Sequence, residues 1–211
     1  MRYDWTEITS LAYLTLLELD LRKLPIPSKK IRCKGVMVTS YQKYAEITNS
    51  TINQLTFGNE LEDAFFLKGL RPELKIILYN KEKYDARLKH TLWHEIGHIK
   101  LNHEKHGEKE EIEAHFFAGQ ANAPNVLIKA IAQRGYNIDT TFLVECFGLS
   151  DESARKKMDY LGRYGFDHTN EYDDVVLLQF QNYIDTIYPY QAQRAFDEYY
   201  YEMEQERESW F

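Results

Sequence analysis

The chain has only two cysteines, Cys33 and Cys146, and they lie far apart. That excludes a disulfide framework. Ten glycines and five prolines in 211 residues exclude a collagen-like chain. No apolar run approaches the roughly 18 residues that a transmembrane helix needs, so no membrane span is expected. The segment Met1-Arg2-Tyr3-Asp4-Trp5 lacks the basic-then-apolar pattern of a signal peptide, and a soluble cytoplasmic protein is the expectation. An excess of basic charge is also missing. The formal net charge is −7, from 26 basic and 33 acidic side chains. A nucleic-acid binder carries a basic footprint, so direct DNA binding is not expected. What remains is ordinary globular composition, 44% hydrophobic and 28% charged, in a chain long enough to bury a core.

The charge is unevenly spread. Residues 167–211 hold 11 acidic and 2 basic side chains, and 7 of the 16 tyrosines. Residues 1–166 are close to neutral, at net +2. The sequence therefore divides into a unit at 1–166 and an acidic, tyrosine-rich extension at 167–211.

Hydrophobic spacing predicts mostly helix with a small sheet, an α+β fold. Leu11, Leu14, Leu17 and Leu21 recur at helical spacing within 6–22, with Asp4 or Thr6 as cap and Pro25 and Pro27 as the stop. Val36–Val38, Ala64–Leu67 and Lys75–Tyr79 read as strands, the last set off by Pro72 and Asn80, while 49–60 reads as loop or hairpin. A long helix is expected over 85–102, with Leu88, Leu92, Ile96 and Ile99 on one face. A second is expected over 110–121, ended by Pro124, and a short one over 126–133, closed by Gly135. Segments 140–147 and 150–161 form a helix–turn–helix-like pair within 142–161. Two further helices are expected in the extension, at 175–187 and 191–208.

One motif carries chemistry. His94-Glu95-Ile96-Gly97-His98 is H-E-x-x-H in the middle of the longest predicted helix. Residues i and i+4 lie one turn apart on one face, so His94 and His98 can grip a single zinc ion. Glu95 is placed as general base for a metal-bound water. Gly97 is a poor helix former, and its place inside the motif suggests a close neighbour. The competing reading, two surface histidines on an amphipathic helix, fits poorly with the apolar flanks Leu92, Ile96 and Ile99.

A catalytic zinc needs a third protein ligand and an open position. The spacing that would supply a third histidine fails, because positions 101 and 104 are Leu101 and Glu104. His103 is half a turn out of phase and His106 falls past the expected helix end, so both read as surface or capping residues. The stronger candidate is Glu113 on the next helix, flanked by Ile112, Phe116 and Phe117 at the edge of the buried stripe, where an unpaired carboxylate is costly. By helical phase Glu110, one turn earlier, is the candidate for a supporting role, and Glu111 points to solvent. The rest of the acidic run suits a helix N-terminus.

Larger pieces of the pattern then fall together. Ile76-Ile77-Leu78-Tyr79-Asn80, Arg87, Thr91-Leu92-Trp93-His94-Glu95-Ile96-Gly97-His98 and Glu111-Ile112-Glu113-Ala114-x-x-Phe117-Ala118 together resemble the ImmA/IrrE family of metallopeptidases. The resemblance covers about 70–165 and, more weakly, the first 70 residues. It implies a zincin-like metallopeptidase domain, with Zn²⁺ held by His94, His98 and Glu113 and with Glu95 as catalytic base. It makes Glu111, rather than Glu110, the supporting carboxylate, and both stay open. Asn122-Ala123-Pro124 departs from the family's Leu-Met-Pro. The pair at 142–161 looks like the element that follows the catalytic helices in the family, and a structural role suits it better than DNA reading, since Asp151, Glu152 and Asp159 offset Arg155, Lys156 and Lys157. The acidic extension has no counterpart.

The resemblance implies a zinc endopeptidase that cleaves a specific intracellular protein, such as a helix–turn–helix repressor, and so derepresses phage or mobile-element genes. The alternative is a regulatory protein-binding module, or a toxin–antitoxin component, with a structural zinc site. The extension's Tyr199-Tyr200-Tyr201 and Trp210-Phe211 suit a partner surface, whereas Phe180, Tyr183, Ile184, Ile187 and Tyr190 suit packing on the domain.

Overall fold

A computed structural model of the chain describes residues 3–56, 58, 63–68, 75–105, 107–166 and 169–208, with the backbone alone at 67, 68, 188–198 and 206–208. Pro72, His106, Trp210 and Phe211 lie outside the described residues, as does the side chain of Tyr190.

The fold is α+β and mostly helical. Helix α1 (Trp5–Glu18) begins at Asp4, whose carboxylate accepts the Glu7 backbone N–H at 3.0 Å. Strand β1 (Val36–Ser40) leads into α2 (Tyr41–Thr48) and α3 (Ile52–Leu55). Both short helices cover ground where the spacing suggested none. Side-chain caps explain them: Ser40 caps α2, and Thr51 with Gln54 forms a reciprocal capping box on α3. Strands β2 (Ala64–Lys68) and β3 (Lys75–Tyr79) complete a sheet of order β1-β3-β2, with β1 parallel and β2 antiparallel to β3. Central β3 is buried on both faces. Ile77 enters the main core, while Ile76 and Leu78 join Tyr41 in a smaller cluster behind the sheet.

Helix α4 (Asp85–Lys100) follows β3, and α5 (Glu108–Asn122) returns beside it. Two polar anchors hold α4 at its start. Ser28 donates from Oγ to Asp85 at 2.6 Å, and Arg87 and Lys83 both pair with Asp63 just before β2. The buried Lys89 ammonium donates to the Phe147 carbonyl at 3.3 Å and so ties α4 to a later helix. The chain continues through α6 (Asn125–Gln133), α7 (Thr140–Phe147), α8 (Asp151–Tyr164) and α9 (Asp173–Glu208). Gly148 ends α7 at φ +65°, where a Cβ would stand 2.9 Å from Pro25 Cβ.

The two helices expected in the extension are one. α9 runs through Pro189, which lacks a backbone N–H to donate within the helix. Its first half also belongs to the main core. Val176, Phe180 and Ile184 are buried there, and Gln179 donates to the carbonyls of Leu16 and Leu21 at 3.2 and 2.7 Å. The core is therefore continuous across 166–167. Among the described residues, no helix is long and apolar enough to cross a membrane.

Candidate metal centre

The centre is built where α4 and α5 touch. Gly97 is the contact point: a Cβ there would lie 3.2 Å from Phe117 Cδ1 and 3.3 Å from the backbone of Ala114. The close neighbour that the glycine suggested is thus α5. With Ala114 opposite Gly97, the residue one turn earlier on α5 stands over the motif histidines. That residue is Glu111.

Three donor atoms converge. His94 Nε2 and His98 Nε2 are 3.0 Å apart. Glu111 Oε2 is 3.2 Å from His94 Nε2, and Glu111 Oε1 is 3.4 Å from His98 Nε2. Ligands in a tetrahedral zinc site at roughly 2.0–2.1 Å from the ion stand about 3.3 Å from one another. Two imidazoles and a carboxylate at these separations fit such an ion, and the set is chemically suited to zinc. His98 is 3% and His94 12% exposed, whereas Glu111 is 39% exposed on the open side. Glu95, next to His94 on α4, is buried.

Glu113 is not with these atoms. Its Oε2 lies 3.2 Å from His103 Nε2, and its Oε1 lies 3.4 Å from Lys109 Nζ. The expected third ligand therefore faces the other side of α5, two residues and more than half a turn away from Glu111. Glu110 is not with them either. It folds back over the start of its own helix, where its own backbone N–H, and then Lys105, hold its carboxyl below the usual range. Gly107 leaves it room, since a Cβ there would be 2.5 Å from Glu110 Oε2.

His103 reaches the centre by a route that helical phase does not show. Asn102 takes φ +55° just after α4, and the His103 N–H closes back on the His98 carbonyl at 2.9 Å. This is a Schellman turn with asparagine at the left-handed position. It reverses the chain and sets His103 Nδ1 2.9 Å from His98 Nδ1. One proton order satisfies the whole row. His98 Nδ1–H donates to His103 Nδ1, and His103 Nε2–H donates to Glu113 Oε2. The reverse order would leave a bare His103 nitrogen against a carboxylate. In the favoured order His98 Nε2 keeps its lone pair, as a metal ligand requires. His106, the other histidine weighed as a ligand, lies outside the described residues.

On the opposite side of the helix pair is an open cleft of about 870 Å³, lined by His94, Glu111 and, on its far wall, Glu152, Lys156, Lys157 and Tyr160 of α8. The helix–turn–helix-like pair is α7 and α8, and α8, with Leu149 and Ser150 before it, forms a wall of this cleft. Its basic residues are largely spoken for: Lys156 pairs with Glu152 at 2.6 Å, and Lys157 is buried. Burial pushes the Lys157 ammonium down to about 7, and its nearest acceptor, the Gly119 carbonyl, is 3.5 Å away. His90 and His115 also line the cleft. Burial, and then its neighbour His115, push His90 down to about 4, and burial also lowers His115, so both rings are uncharged at neutral pH. The spacings His90–His94–His98 and Glu111–His115, each a multiple of four, were the visible signal for these two residues.

A family model described as the IrrE N-terminal-like domain, Peptidase_M78, matches residues 45–159. That is more than half of the chain, and it includes all of α4 and α5. A search of the curated proteins finds no match to this chain.

Proposed function

The chain belongs to the Peptidase_M78 family, that of the IrrE N-terminal-like domain, and from that premise we propose that it is a zinc-dependent endopeptidase acting on a specific intracellular protein. The observation that carries this reading is the triangle of His94, His98 and Glu111, with edges of 3.0 to 3.4 Å, opening on a cleft. In this reading Glu111, in place of Glu113, is the third ligand. His103 and Glu113 hold the ring of His98 and its tautomer, a role whose loss typically lowers metal affinity by roughly 10–100-fold.

Zinc, when bound, supplies Lewis acidity toward the scissile carbonyl and toward a water molecule. Glu95 takes the proton of the attacking water and delivers it to the leaving amine. The cleft between α4–α5 and α8 holds the peptide, and Asp63, Arg87 and Lys83 brace the end of that cleft beside β2.

The proposed substrate is a DNA-binding repressor of the helix–turn–helix class, whose removal derepresses phage or mobile-element genes. Support comes from charge: residues 167–211, at net −9, complement a basic DNA-binding face. A second reading, a regulatory module that binds without cutting, draws on α9, where Tyr199, Tyr200, Tyr201 and Met203 are all more than half exposed on an acidic helix.

One experiment separates the two. The protein, loaded with zinc, is incubated with a helix–turn–helix repressor from the same genome, in parallel with a Glu95→Gln variant. Cleavage by the wild type, with a loss of at least about 100-fold in the variant, is expected for a peptidase. Stable binding by both proteins, with no new fragments, would establish the regulatory module instead.

A further inference from the structure

The far half of the cleft holds an amine that the metal centre does not use. Lys157 reaches from α8 toward α5, and it lines the cleft although it is only 8% exposed. Among the described residues its Nζ has one acceptor, the Gly119 carbonyl at 3.5 Å, which is the outer limit of a hydrogen bond. That carbonyl already receives the Ala123 backbone N–H at 3.1 Å. The Tyr160 ring centroid is 5.8 Å from Nζ. No carboxylate among the described residues pairs with the amine. Glu152, the carboxylate on the same wall, is held by Lys156 at 2.6 Å. Burial alone moves Lys157 from its ordinary value, downward. A lysine in this state weakens the fold, and an apolar side chain of similar length would pack there without that cost.

Space for a ligand lies beside it. Glu111, His115 and Gly119 form one stripe of α5, each four residues on from the last, and all three line the cleft. At Gly119 the stripe has no side chain, and a Cβ there would meet nothing within 4 Å. On the α8 wall, Ser153 lies one turn before Lys157 and also lines the cleft. Its Oγ accepts from Ser150 Oγ at 3.0 Å, which leaves its own hydroxyl hydrogen to donate. Two donors, one of them cationic, therefore stand along a gap between α5 and α8. An anion entering the gap stabilises the ammonium form of the lysine.

We propose that this gap is a specificity pocket for a carboxylate side chain, aspartate or glutamate, of the peptide in the cleft, with the Lys157 ammonium as its charge partner and the Ser153 hydroxyl as a second donor. The proposal deepens the peptidase reading and rests on it for the course of the peptide. Gly119 lies about 12 Å beyond Glu111 along α5, at 1.5 Å per residue. An extended peptide advances about 3.3 Å per residue, which puts the acidic residue about three or four residues from the cleaved bond. Lys157 touches the substrate there and takes no part in the reaction itself.

The test has a cleavage arm and a binding arm, both with random dodecapeptides as the probe. In the first, a mixed library is digested by zinc-loaded wild type and by Lys157→Met, and the products are sequenced by mass spectrometry. Aspartate or glutamate is expected to be enriched about tenfold at one position in the wild-type products, and by less than about twofold in those of Lys157→Met. In the second arm, zinc-loaded Glu95→Gln and Glu95→Gln/Lys157→Met are titrated by fluorescence polarisation with two labelled pools, one with a fixed glutamate and one with glutamine in its place. The glutamate pool is expected to bind about tenfold more tightly to the first protein and equally to the second. Circular dichroism checks that each variant is folded. Cleavage by the wild type without an acidic preference overturns the pocket and leaves the peptidase. An acidic preference that survives in folded Lys157→Met also overturns the pocket. If the wild type cuts nothing, the peptidase reading fails and the binding arm decides: a glutamate preference that depends on Lys157 upholds the pocket, and equal binding of the two pools overturns it.

Discussion

The two sides of the α4–α5 pair are made of the same residue types and behave differently. On the cleft side, His94 Nε2 faces Glu111 Oε2 at 3.2 Å and His90 Nε2 faces His115 Nδ1 at 3.3 Å. On the rear side, His103 and Glu113 are closed into a row that starts at His98 Nδ1 and ends at Lys109. Under the proposed function, histidine and glutamate face the metal or support it according to what lies across the helix interface. His98 is the hinge between the sides, with one nitrogen on each. In that reading the rear row orders a ligand, and the cleft side uses it.

The comparison breaks most sharply at the two glutamates. Glu111→Ala is expected to remove a ligand, lowering zinc affinity well beyond the roughly 100-fold that marks loss of a supporting partner, with activity lost in parallel. Glu113→Ala should lower affinity by only about 10–100-fold and leave activity recoverable at high zinc. Zinc titrations of the two variants, read by competition with a chromogenic chelator, decide between them. The opposite ranking would return Glu113 to the role first expected of it.

Gly97→Ala strikes the point that sets both sides. The added methyl meets Phe117 and, less yieldingly, the backbone of Ala114 at 3.3 Å. The helices must separate by a few tenths of an ångström. A stability loss of about 1–3 kcal/mol is expected, read by denaturant unfolding, together with weaker zinc binding. A variant with lower stability but unchanged zinc affinity would show that the Glu111 register does not depend on this contact.

The smallest effect on the metal is expected across the cleft, at Lys157. Its folded value of about 7 lies below its ordinary 10.5, so the unfolded chain binds more protons between those values and stability rises with pH through that window. Below about pH 7 the full cost of the buried charge is present. Lys157→Met should therefore stabilise the protein most at pH 6, by up to about 4–5 kcal/mol for a fall from 10.5 to about 7, and the gain should shrink toward pH 10.5. Zinc affinity should not move. Thermal melts across pH check the first point, and the same chelator titration checks the second.

Much of this was legible in one dimension. The three strands stand where alternation and turn residues put them, and α4 begins at Asp85 as expected. α2 and α3 were hidden, because eight and four residues leave little periodicity and their capping residues were the only signal. In the site, the pair His94 and His98 followed from spacing alone. Glu113 drew attention for a sound reason, since it is a half-buried carboxylate, but what relieves it is His103 and Lys109. Helical phase argues against His103, but phase ceases to apply once Asn102 turns the chain left-handed. The boundary at 166–167 marks a change in charge and not a change in core, because Val176, Phe180 and Ile184 keep a helical apolar stripe inside an acidic segment.

The sequence by itself determined that two imidazoles and a glutamate share one helix with metal-binding spacing. That relation is local, set by 3.6 residues per turn and by nothing outside α4. Only the tertiary structure decided which carboxylate joins them, which histidine stands behind them and which helix faces them across the cleft. Those choices depend on the rotation and register of α5 against α4. A rotation of about 100° per residue exchanges one glutamate for the next, and it is packing at Gly97 and Ala114 that stops the rotation at Glu111.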